Sequence, residues 1–353
     1  MNLRKGMKAM LKWFEQTDNG RSGVISSRIR LVRNWKEYKF PSKLDERESG
    51  EMIHRLEFGL KDLGEELGKR LTFSMLDDLN ELDRVGFKER RVINSSIAAK
   101  KAPVGILLSE NEDTGIVFNG DDHIRIQALK TGLHLEELWE QASGVDDYMN
   151  ERFPYAFDDR YGYLTAFPTN VGTGMRASVV VHLPMLSQGR KFSSLIGEMG
   201  RFGAAVRGVY GEGEDNYGAL YEVSNQKTLG QTEREIIDTV TKAAIQLTNQ
   251  EMQVRKLSLQ RRKIEREDEI YKSYGVLKYA RRLTSRDAMI FLSQMMAGLE
   301  DGLIHTKEEF NVYRLMLGIW PANLQKISDR PLSKEELDMA RAEFIREELP
   351  ELN

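Results

Sequence analysis

The sequence contains no cysteine among its 353 residues. This absence excludes disulfide bonds, a catalytic thiolate and cysteine-ligated zinc, and it is typical of proteins in the reducing cytoplasm. Five histidines are present, and none of their spacings matches a common metal-binding motif such as H-E-x-x-H. The sequence therefore predicts no metal site built from protein side chains.

Long apolar runs are also missing. No stretch approaches the roughly 20 apolar residues that a membrane-spanning helix requires. The N-terminus, MNLRKGMKAMLKWFEQTDNG, is basic and lacks the continuous apolar core of a secretory signal. The formal net charge of −3 gives no support to direct nucleic-acid binding. We therefore expect a globular cytoplasmic protein that has no membrane segment and no direct contact with nucleic acid.

The chain is long enough for two domains, and the pattern of short apolar runs in its first part predicts an antiparallel sheet. Short apolar runs follow one another as in successive hairpins: VGILLSE, GIVFNG, DHIRIQAL, GYLTAFP, ASVVVHLP and GALYEVSN. Helical periodicity over MIHRLEFGLKDLGEEL and near residues 75–87 predicts helices that pack on this sheet.

Four sequences of the form S/T-x-x-D/E predict helix N-termini further along the chain, at Thr232, Thr284, Thr306 and Ser333. The last three introduce a small helical bundle. The fold class predicted is α+β, a mainly antiparallel β-sheet flanked by helices and followed by a small all-α domain. The boundaries we expect are a short N-terminal extension over 1–21, a sheet domain over 22–256 and a helical domain over 265–353.

The stretch GTGMRA, residues 172–177, fits the G-x-G-x-x-A pattern of a dinucleotide-binding loop. That motif functions only when a helix follows the glycines, because the helix N-terminus holds the pyrophosphate. Here three consecutive valines and Pro184 follow, which favours a strand. We therefore interpret the stretch as a glycine-rich loop between strands.

Arginine recurs on the predicted strands and beside their loops. Arg28 and Arg30 alternate and should share one face of a strand. Arg125 lies on the polar side of its strand, Arg176 follows the glycine loop, and Arg207 precedes a second glycine-rich stretch, GVYGEGEDNYG. Each arginine alone is more typical of a surface or salt-bridged residue. Together they predict a site for a highly anionic ligand, since guanidinium groups bind phosphate oxygens bidentately.

Acidic residues accompany these arginines. Asp121 and Asp122 lie between two predicted strands, and Glu212 lies in the second glycine-rich stretch. Acidic residues in turns usually serve the turn itself. Beside an arginine cluster they could instead bind and orient a cationic acceptor next to a bound triphosphate.

Five stretches, in this order, resemble the catalytic domain of the phosphagen (guanidino) kinases, the creatine and arginine kinases. They are SSRIRLVRN, NGDDHIRIQAL, FPTNVGTGMRASVVVHLP, RGVYGEGE and YEVSNQKTLGQTE, and the resemblance covers roughly residues 22–256. Only about 25 residues precede SSRIR, so the helical N-terminal domain of the small-metabolite kinases has no counterpart, and a helical C-terminal region follows instead. In both respects the sequence is similar to the bacterial protein-arginine kinases.

The resemblance implies a role for each candidate residue. The ATP phosphates would be held by Arg28, Arg30, Arg125, Arg176 and Arg207. The acceptor guanidinium would be held and deprotonated by Asp121 and Glu212, with Asp122 as the neighbouring acid of the same motif. The loop beside the phosphates would contain Thr169, Asn170, Gly172, Thr173 and Gly174. In the helical domain, Asp338 and Arg341 match the R-D-x-x-R-A motif that binds phosphoarginine in such kinases.

The resemblance also implies cofactors and partners. ATP would be the phosphoryl donor, with Mg²⁺ held mainly by phosphates and water, and the acceptors would be proteins with exposed arginines. Further implied features are a homodimer, a zinc-binding activator protein, a heat-shock repressor substrate, and delivery of marked proteins to a Clp protease during stress.

Three positions depart from the family pattern. Phe167 stands where a cysteine is usual, the acidic motif reads N-G-D-D-H in place of N-E-E-D-H, and Leu337 replaces the first arginine of R-D-x-x-R-A. These departures leave open an alternative, a pseudokinase-like module that binds arginine or phosphoarginine proteins without turnover. A small-metabolite kinase is disfavoured, since the N-terminal domain normally carries its substrate-specificity loop.

Overall fold

The computed structural model describes residues 12–18, 20–210, 216–326 and 328–353. The strands in these residues are β1 (Val24–Arg33), β2 (Leu71–Met75), β3 (Gly105–Ser109), β4 (Thr114–Phe118), β5 (Ile124–Thr131), β6 (Phe157–Asp158), β7 (Gly162–Tyr163), β8 (Met175–His182), β9 (Ala204–Gly208) and β10 (Leu220–Asn225). Eight of them form one sheet in the order β2-β3-β4-β5-β1-β8-β10-β9, and β6 pairs with β7 separately. All the strand pairs of the large sheet are antiparallel.

Helices surround this sheet and make up the C-terminal part of the chain. They are α1 (Glu46–Gly59), α2 (Leu63–Glu66), α3 (Glu81–Glu89), α4 (Ser95–Ala98), α5 (Leu135–Asn150), α6 (Phe192–Arg201), α7 (Glu233–Tyr279), α8 (Ser285–Glu300), α9 (Val312–Gly318), α10 (Pro321–Gln325) and α11 (Lys334–Glu348). The predicted α+β class with a helical C-terminal region is confirmed.

The two faces of the sheet pack against different helices. Odd-numbered residues of β1 and β8, such as Ile29 and Val179, lie in a large core cluster with the apolar sides of α1, α5, α6 and α7. On the opposite face, Leu129, Val180 and Leu220 lie in a second core cluster with α8, α9 and α11. The helical region therefore packs directly on the sheet, over the face that also carries the predicted arginines.

The valine-rich stretch after the glycine loop is strand β8, as predicted, and its position in the sheet explains its composition. It pairs with β1 on one side and β10 on the other, and its residues from Ala177 to His182 are buried. β-Branched residues suit such a strand because they pack well on both faces. The interpretation of GTGMRA as a loop that enters a strand is thus confirmed.

Two helix predictions near the N-terminus are wrong in part. The helix predicted to continue to Leu67 stops at Gly59, and a separate short helix, α2, follows. The helix predicted near 75–87 begins only after Asn80, whose side chain accepts a hydrogen bond from the backbone of Asp83. The stretch before it, Leu71–Met75, is an edge strand because its backbone pairs with β3. That long-range pairing has no signal in the local periodicity.

Two further predictions need correction. Of GYLTAFP, only Gly162 and Tyr163 form a strand. The Ala166 N–H donates to the Asp122 side chain and not to a neighbouring strand, and a 3-10 turn begins at Pro168. The helix expected after Thr306 begins at Val312 instead. Its N-cap is Asn311, and the Thr306 hydroxyl donates a hydrogen bond to the Glu308 carbonyl, 2.6 Å away.

The other capping predictions are confirmed. Thr232 and Ser333 form complete capping boxes, and the Thr284 side chain accepts from the backbone of Asp287. Helix α7 is irregular at Arg262, where φ is −142° and ψ is 46°, within the stretch where the sequence predicts the domain boundary. None of the helices in the described residues combines the length and apolarity needed to cross a membrane.

Candidate functional site

One face of the sheet carries the predicted phosphate-binding arginines. Arg28 and Arg30 lie two residues apart on β1 and point to the same side. Arg30 pairs with Arg176 on β8, while Val32, on the same side of β1, pairs with Arg125 on β5. The side chains of directly paired residues share a face, so these four arginines lie together.

Arg207 belongs to the same face through a further set of pairings. Val180, four residues after Arg176 on β8, pairs with Glu222 on β10, and Glu222 pairs with Arg207 on β9. The five arginines therefore share one face of the sheet, on strands β5, β1, β8 and β9. We call this surface the arginine face: Arg28, Arg30, Arg125, Arg176 and Arg207.

Burial and mutual repulsion act on the guanidinium groups of this face. Burial is the main cause of the lowered pKa of Arg28, and the charge of Arg30 adds to it. Burial also lowers the pKa of Arg30 and that of Arg125, each to about 10. Both remain cationic near neutral pH, and the Nε atoms of Arg30 and Arg125 are buried without a hydrogen-bond partner among the described residues. This concentration of positive charge and free donors suits a multiply charged anion.

Asp121 lies beside these cations. It shares a cavity of about 90 Å³ with Arg30, Arg125 and Arg176. Its two carboxylate oxygens accept hydrogen bonds from the Asn94 amide at 3.2 Å and from the Ser96 hydroxyl at 3.1 Å. These contacts fix the carboxylate next to three arginines and leave both oxygens with further acceptor capacity.

Asp122 has a different environment. It is buried, and its Oδ1 accepts from the Asn34 side chain at 2.7 Å and from the Ala166 backbone at 2.6 Å. Its Oδ2 is buried without a hydrogen-bond partner in the described residues, and burial raises its pKa. Asp122 thus ties the N-G-D-D-H turn to the residue before Phe167, and the Phe167 side chain is exposed.

The glycine loop closes tightly against two neighbouring segments. A Cβ on Gly172 would lie 2.4 Å from the Thr228 carbonyl oxygen, and a Cβ on Gly174 would lie 2.7 Å from the Val32 carbonyl oxygen. Both glycines have positive φ, 112° and 61°. The backbone can therefore approach β1 and the segment after β10 only with glycine at both positions.

The same loop contributes to the cavity that contains Asp121. Asn170 and Gly174 line it. Thr173 is buried, and its backbone N–H donates to the Thr228 carbonyl at 3.2 Å, while the Thr169 carbonyl accepts from the Thr228 hydroxyl at 3.0 Å. The loop is thus anchored at several points before it enters β8 at Met175.

Glu212, the second predicted acceptor carboxylate, lies outside the described residues. The segment that contains it connects β9 to β10, the two strands at one edge of the sheet. Arg207 stands on β9, and its side chain is exposed.

Two charged residues near the arginine face were not predicted from the sequence. Glu222 on β10 accepts hydrogen bonds from Arg28, at 2.7 Å, and from Arg91. Arg91 follows α3 in a region without a recognisable motif. The alternation of YEVSN could have placed Glu222 on the same side as Arg207, but nothing in the local sequence indicates the position of Arg91.

A cleft of about 500 Å³ opens over the arginine face. Arg28, Arg30 and Arg125 line its floor, and Arg91 lies beside them. Trp320, which precedes α10, forms part of its wall, where its ring lies 4.8 Å from that of Tyr210. The helical region thus contributes to the boundary of the cleft.

The two residues of the predicted phosphoarginine motif lie on α11. The Asp338 carboxylate accepts from Arg341 Nη1 at 2.6 Å. The pair does not lie on the surface, since Arg341 is buried. Its Nε and Nη1 also donate to the carbonyls of Ile319 and Leu283, at 2.9 and 2.8 Å. Arg341 therefore holds three segments of the helical region together.

Two known protein families match most of this chain, and relatives are similar along nearly its full length. The ATP:guanido phosphotransferase C-terminal catalytic domain matches residues 52–254, and the protein-arginine kinase McsB C-terminal domain matches residues 261–353. The chain is 39% identical over 343 residues to a protein-arginine kinase of Halothermothrix orenii, covering 97% of both chains. It is 38% identical over 344 residues to that of Bacillus subtilis, covering 97% of this chain and 94% of the relative.

Solved structures share the fold. The duplicated taurocyamine kinase from Schistosoma mansoni, with bound transition state analog components, superposes with a TM-score of 0.59 at 24% identity, over 67% of this chain and 34% of that one. Lombricine kinase gives a TM-score of 0.57 at 23% identity, over 69% of each chain. Because the catalytic-domain match covers more than half of the chain and the relatives are similar along nearly its full length, this chain belongs to the protein-arginine kinase family of ATP:guanido phosphotransferases.

Proposed function

We propose that this protein transfers the γ-phosphoryl group of ATP to arginine side chains of proteins. The observation that carries the proposal is the placement of Asp121 in one small cavity with Arg30, Arg125 and Arg176. A carboxylate that can receive a cationic acceptor is thereby adjacent to cations that can receive phosphate, which is the arrangement a guanidino phosphotransfer requires.

The arginine face would bind the triphosphate and stabilise the transition state. In phosphoryl transfer, negative charge spreads over the equatorial oxygens, and catalysis consists mostly of positioning and charge stabilisation. Arg30 and Arg125 supply buried donors without protein partners among the described residues, so little rearrangement of existing hydrogen bonds is needed when a phosphate arrives.

The acceptor must lose a proton in order to act as a nucleophile. A guanidinium has a pKa above 12 and no free lone pair at neutral pH. A carboxylate therefore has to accept a proton as the N–P bond forms and the bond from the γ-phosphorus to the departing ADP breaks. A second carboxylate orients the guanidinium plane. We assign these two roles to Asp121 and Glu212. Which of the two acts as the base is left open.

Asp122 and the glycine loop would act as positioning groups. The contact of Asp122 with Ala166 fixes the backbone just before Phe167, and the loop that follows carries Asn170 and Gly174 to the edge of the cavity. Displacing this segment would change the position of the acceptor relative to Asp121 without removing a reacting group.

Mg²⁺ would arrive with the nucleotide. Among the described residues, no three acidic or histidine side chains gather into a metal site. Phosphate oxygens and water can complete the octahedral shell that Mg²⁺ prefers, and the ion would neutralise part of the triphosphate charge.

The further implied properties are proposals of the same kind. The acceptors would be proteins with exposed arginines, in the cytoplasm, and Asp338 with Arg341 would mark a phosphoarginine-binding region in the helical domain. We expect the protein to form a homodimer and to act with a zinc-binding activator protein and a Clp protease. No observation favours the pseudokinase-like alternative, since the full-length relatives carry the name of a kinase.

A phosphorylation assay tests the proposal. The protein is incubated with radiolabelled ATP, Mg²⁺ and an unfolded basic protein, and the label on the acceptor is then treated with acid and with base. A phosphoramidate on arginine is labile in acid and stable in base. Absence of such label, under conditions where ATP binds, would contradict the proposed activity. Free arginine as acceptor serves as the control for a small-metabolite kinase.

A further inference from the structure

Strand β9 lies at one end of the large sheet, so one of its two sides is free of a strand partner. It pairs with β10 from Ala204 to Gly208, and no other strand adjoins it in the residues that the structure describes. A strand at the edge of a sheet presents unpaired N–H and C=O groups, which can pair with another chain.

The hydrogen bonds at the two ends of β9 show which backbone groups lie on its free side. The Val209 N–H donates to the Leu220 carbonyl at 3.0 Å. The Gly203 carbonyl, six residues earlier, accepts at 2.9 Å from the residue that follows β10. In an antiparallel pair, successive residues direct their backbone groups alternately toward the partner and away from it. Val206 and Gly208 therefore direct their N–H and C=O groups away from β10.

A cavity of about 1260 Å³ lies against these two residues of β9. Val206 and Gly208 line it together with parts of α6, α7 and α8. Its walls combine apolar side chains, such as Phe192 and Ile290, with polar ones, such as Gln294. A mixed lining of this kind suits an extended polypeptide, because such a chain directs successive side chains to opposite sides.

Two polar side chains at the wall of this cavity have unpaired atoms. Asn216 is 6% exposed, and its Nδ2 donates to the Leu220 carbonyl at 2.8 Å. Its Oδ1 is buried and has no donor among the described residues. The Nε of Arg266 is also buried, with no acceptor in the part of the chain that the structure describes. Both residues line the cavity, and a peptide group supplies the donor and the acceptor that these atoms need.

The direction of β9 connects this cavity with the reaction site. Both β9 and β8 pair antiparallel with β10, so they run in the same direction. Gly174, which precedes β8, lines the small cavity that contains Asp121. The start of β9 therefore lies at the same end of the sheet as Asp121. A chain bound along β9 leads toward the end of the sheet where the acceptor arginine would react.

We propose that an extended segment of the protein acceptor binds along the free side of β9 and adds to the sheet as a further strand, with side chains in the adjoining cavity. This inference rests on the proposed function, because the occupant is the acceptor of that reaction. Backbone hydrogen bonds supply the affinity in this mode of binding, so many sequences can be accepted. The charged residues of the cavity wall, Arg262, Glu265, Arg266 and Glu269, balance in sign and require neither a basic nor an acidic segment.

The position of β9 predicts a dependence on the length of the acceptor. A segment added beside β9 would lie four strand spacings from β1, which carries Arg30, or roughly 19 Å at about 4.8 Å per spacing. An extended chain covers about 3.3 Å per residue, so about six residues must connect the docked segment to the reacting arginine. A peptide of about four residues is too short to occupy both places.

A substitution that fills the cavity tests the docking site. Ser193 and Ser194 are neighbouring exposed residues of α6, and of the two only Ser193 lines the cavity. Ser193→Trp should block the docked segment, and Ser194→Trp is the matched control on the same helix. KM and kcat are measured with an unfolded arginine-containing protein and with a short arginine peptide. Ser193→Trp should raise KM for the unfolded protein roughly tenfold, the equivalent of one or two net hydrogen bonds, with kcat and the peptide reaction unchanged.

Hydrogen exchange of the wild-type protein measures the docking itself, without ATP and without a substitution. The probe is an unfolded protein whose arginines are all replaced by lysine, so that it can bind along β9 but offers no guanidinium. At a probe concentration about ten times its Kd, the amides of Val206 and Gly208 should exchange roughly tenfold more slowly. The amides of Ala205 and Arg207 should change little, because they face β10.

Each result supports or overturns the inference. Equal KM values of Ser193→Trp and Ser194→Trp for the unfolded protein would overturn it, as would unchanged exchange of Val206 and Gly208 at saturating probe. An equal loss with the peptide and the protein would reduce the effect of Ser193→Trp to a general disturbance and would also overturn it.

Two further results have different meanings. Slow exchange of the Val206 and Gly208 amides without the probe, increasing with the concentration of the protein itself, would assign the edge to a second copy of this chain and overturn the acceptor as its occupant. A wild-type protein that phosphorylates neither substrate would contradict the proposed function. The exchange experiment would then still show whether an extended chain binds along β9.

Discussion

Arg30 and Arg176 lie directly opposite each other on β1 and β8, so that two like charges form a cross-strand pair. Like charges in this arrangement destabilise a sheet, by an amount on the order of 0.2–1 kcal/mol. Within the described residues neither side chain forms a salt bridge, and the nearby Glu222 bonds to Arg28 and Arg91 instead. The pair is therefore most favourable when an external anion lies between the two guanidinium groups.

Replacing Arg176 with alanine should weaken ATP binding by about 1.5–3 kcal/mol, the range of a charge-assisted hydrogen bond. The same change removes one of the two like charges of the cross-strand pair. Without ATP, the melting temperature of the variant should therefore be no lower than that of the wild type. Calorimetry with ATP and thermal unfolding with and without ATP measure both effects. Arg207→Ala should also lower ATP affinity, while Lys242→Ala on the surface of α7 should not. Unchanged ATP affinity in the two arginine variants would exclude them from the phosphate site.

Glu212→Gln should reduce turnover by at least the roughly 10²- to 10⁴-fold associated with general acid–base groups, with ATP binding retained. Asp121→Asn should behave likewise. The double variant should lose less than the product of the single losses, because residues that act as a unit are not additive. Phosphorylation rates on an arginine-containing protein, with ATP affinity measured in parallel, provide the test. Near-wild-type turnover in Glu212→Gln would mean that the acceptor is held elsewhere.

Gly172→Ala should destabilise the protein, because the new Cβ would meet the Thr228 carbonyl at 2.4 Å in a backbone with φ of 112°. We expect a loss of about 1–3 kcal/mol in the free energy of unfolding, from overpacking and backbone strain together. Gly144→Ala on α5 is the control, since a Cβ added there would meet no atom of a neighbouring segment within 4 Å and alanine favours a helix. Urea unfolding of both variants makes the comparison. Equal stabilities would show that the loop can relax away from Thr228.

His182 should make stability depend on pH in the acidic range. Burial, with a smaller contribution from the charge of Arg255, lowers its pKa from 6.5 to about 3. The imidazole stays neutral in the folded protein while the unfolded chain takes up a proton below about pH 6.5, so the unfolded state binds more protons and stability falls as the pH falls. The slope from this residue should approach about 1.4 kcal/mol per pH unit.

The matched variant for this effect is His182→Gln, which keeps a polar group near the Ser293 hydroxyl, 2.7 Å from His182 Nε2. Urea unfolding at several pH values between about 5 and 7.5, a range that spans the unfolded-state pKa, should show a shallower dependence in the variant than in the wild type. An equal pH dependence of the free energy of unfolding in both proteins would mean that His182 is protonated in the folded state without loss of stability.

Asp338→Ala should abolish binding of free phosphoarginine by the helical region, because the Asp338 carboxylate is the proposed acceptor for the ligand guanidinium. Arg341 is unsuited to this test, because its contacts with Ile319 and Leu283 make it structural as well. Titration of phosphoarginine into the full chain is the measurement, and Glu343→Ala, at an exposed position of the same helix, is the control. Equal binding by wild type and Asp338→Ala would place any phosphoarginine site elsewhere.

Much of the sheet could be predicted because its strands have clear local signals. The valines of β8 and the alternation in β1 reveal both the element type and the side on which Arg28 and Arg30 lie. The convergence of the arginines then follows from antiparallel pairing, which the succession of short strands already indicates. The capping boxes at Thr232 and Ser333 depend only on neighbouring residues, and they too were predictable.

The rest depends on contacts between distant parts of the chain. Leu71–Met75 becomes a strand because β3 is available to pair with it. The environment of Arg91 depends on a turn that is anchored by residues of β5, and the burial of Arg341 depends on carbonyls from two other segments. None of these partners can be read from the sequence around the residue itself.

The second core cluster has a consequence for folding. Leu129, Val180 and Leu220 of the sheet share it with side chains of α8, α9 and α11, so the two parts of the chain bury each other's apolar surface. Removal of the helical region would expose an apolar patch on the sheet beside its arginines, which favours aggregation. The chain should therefore unfold as one cooperative unit, with a single calorimetric transition whose enthalpy matches the van't Hoff value.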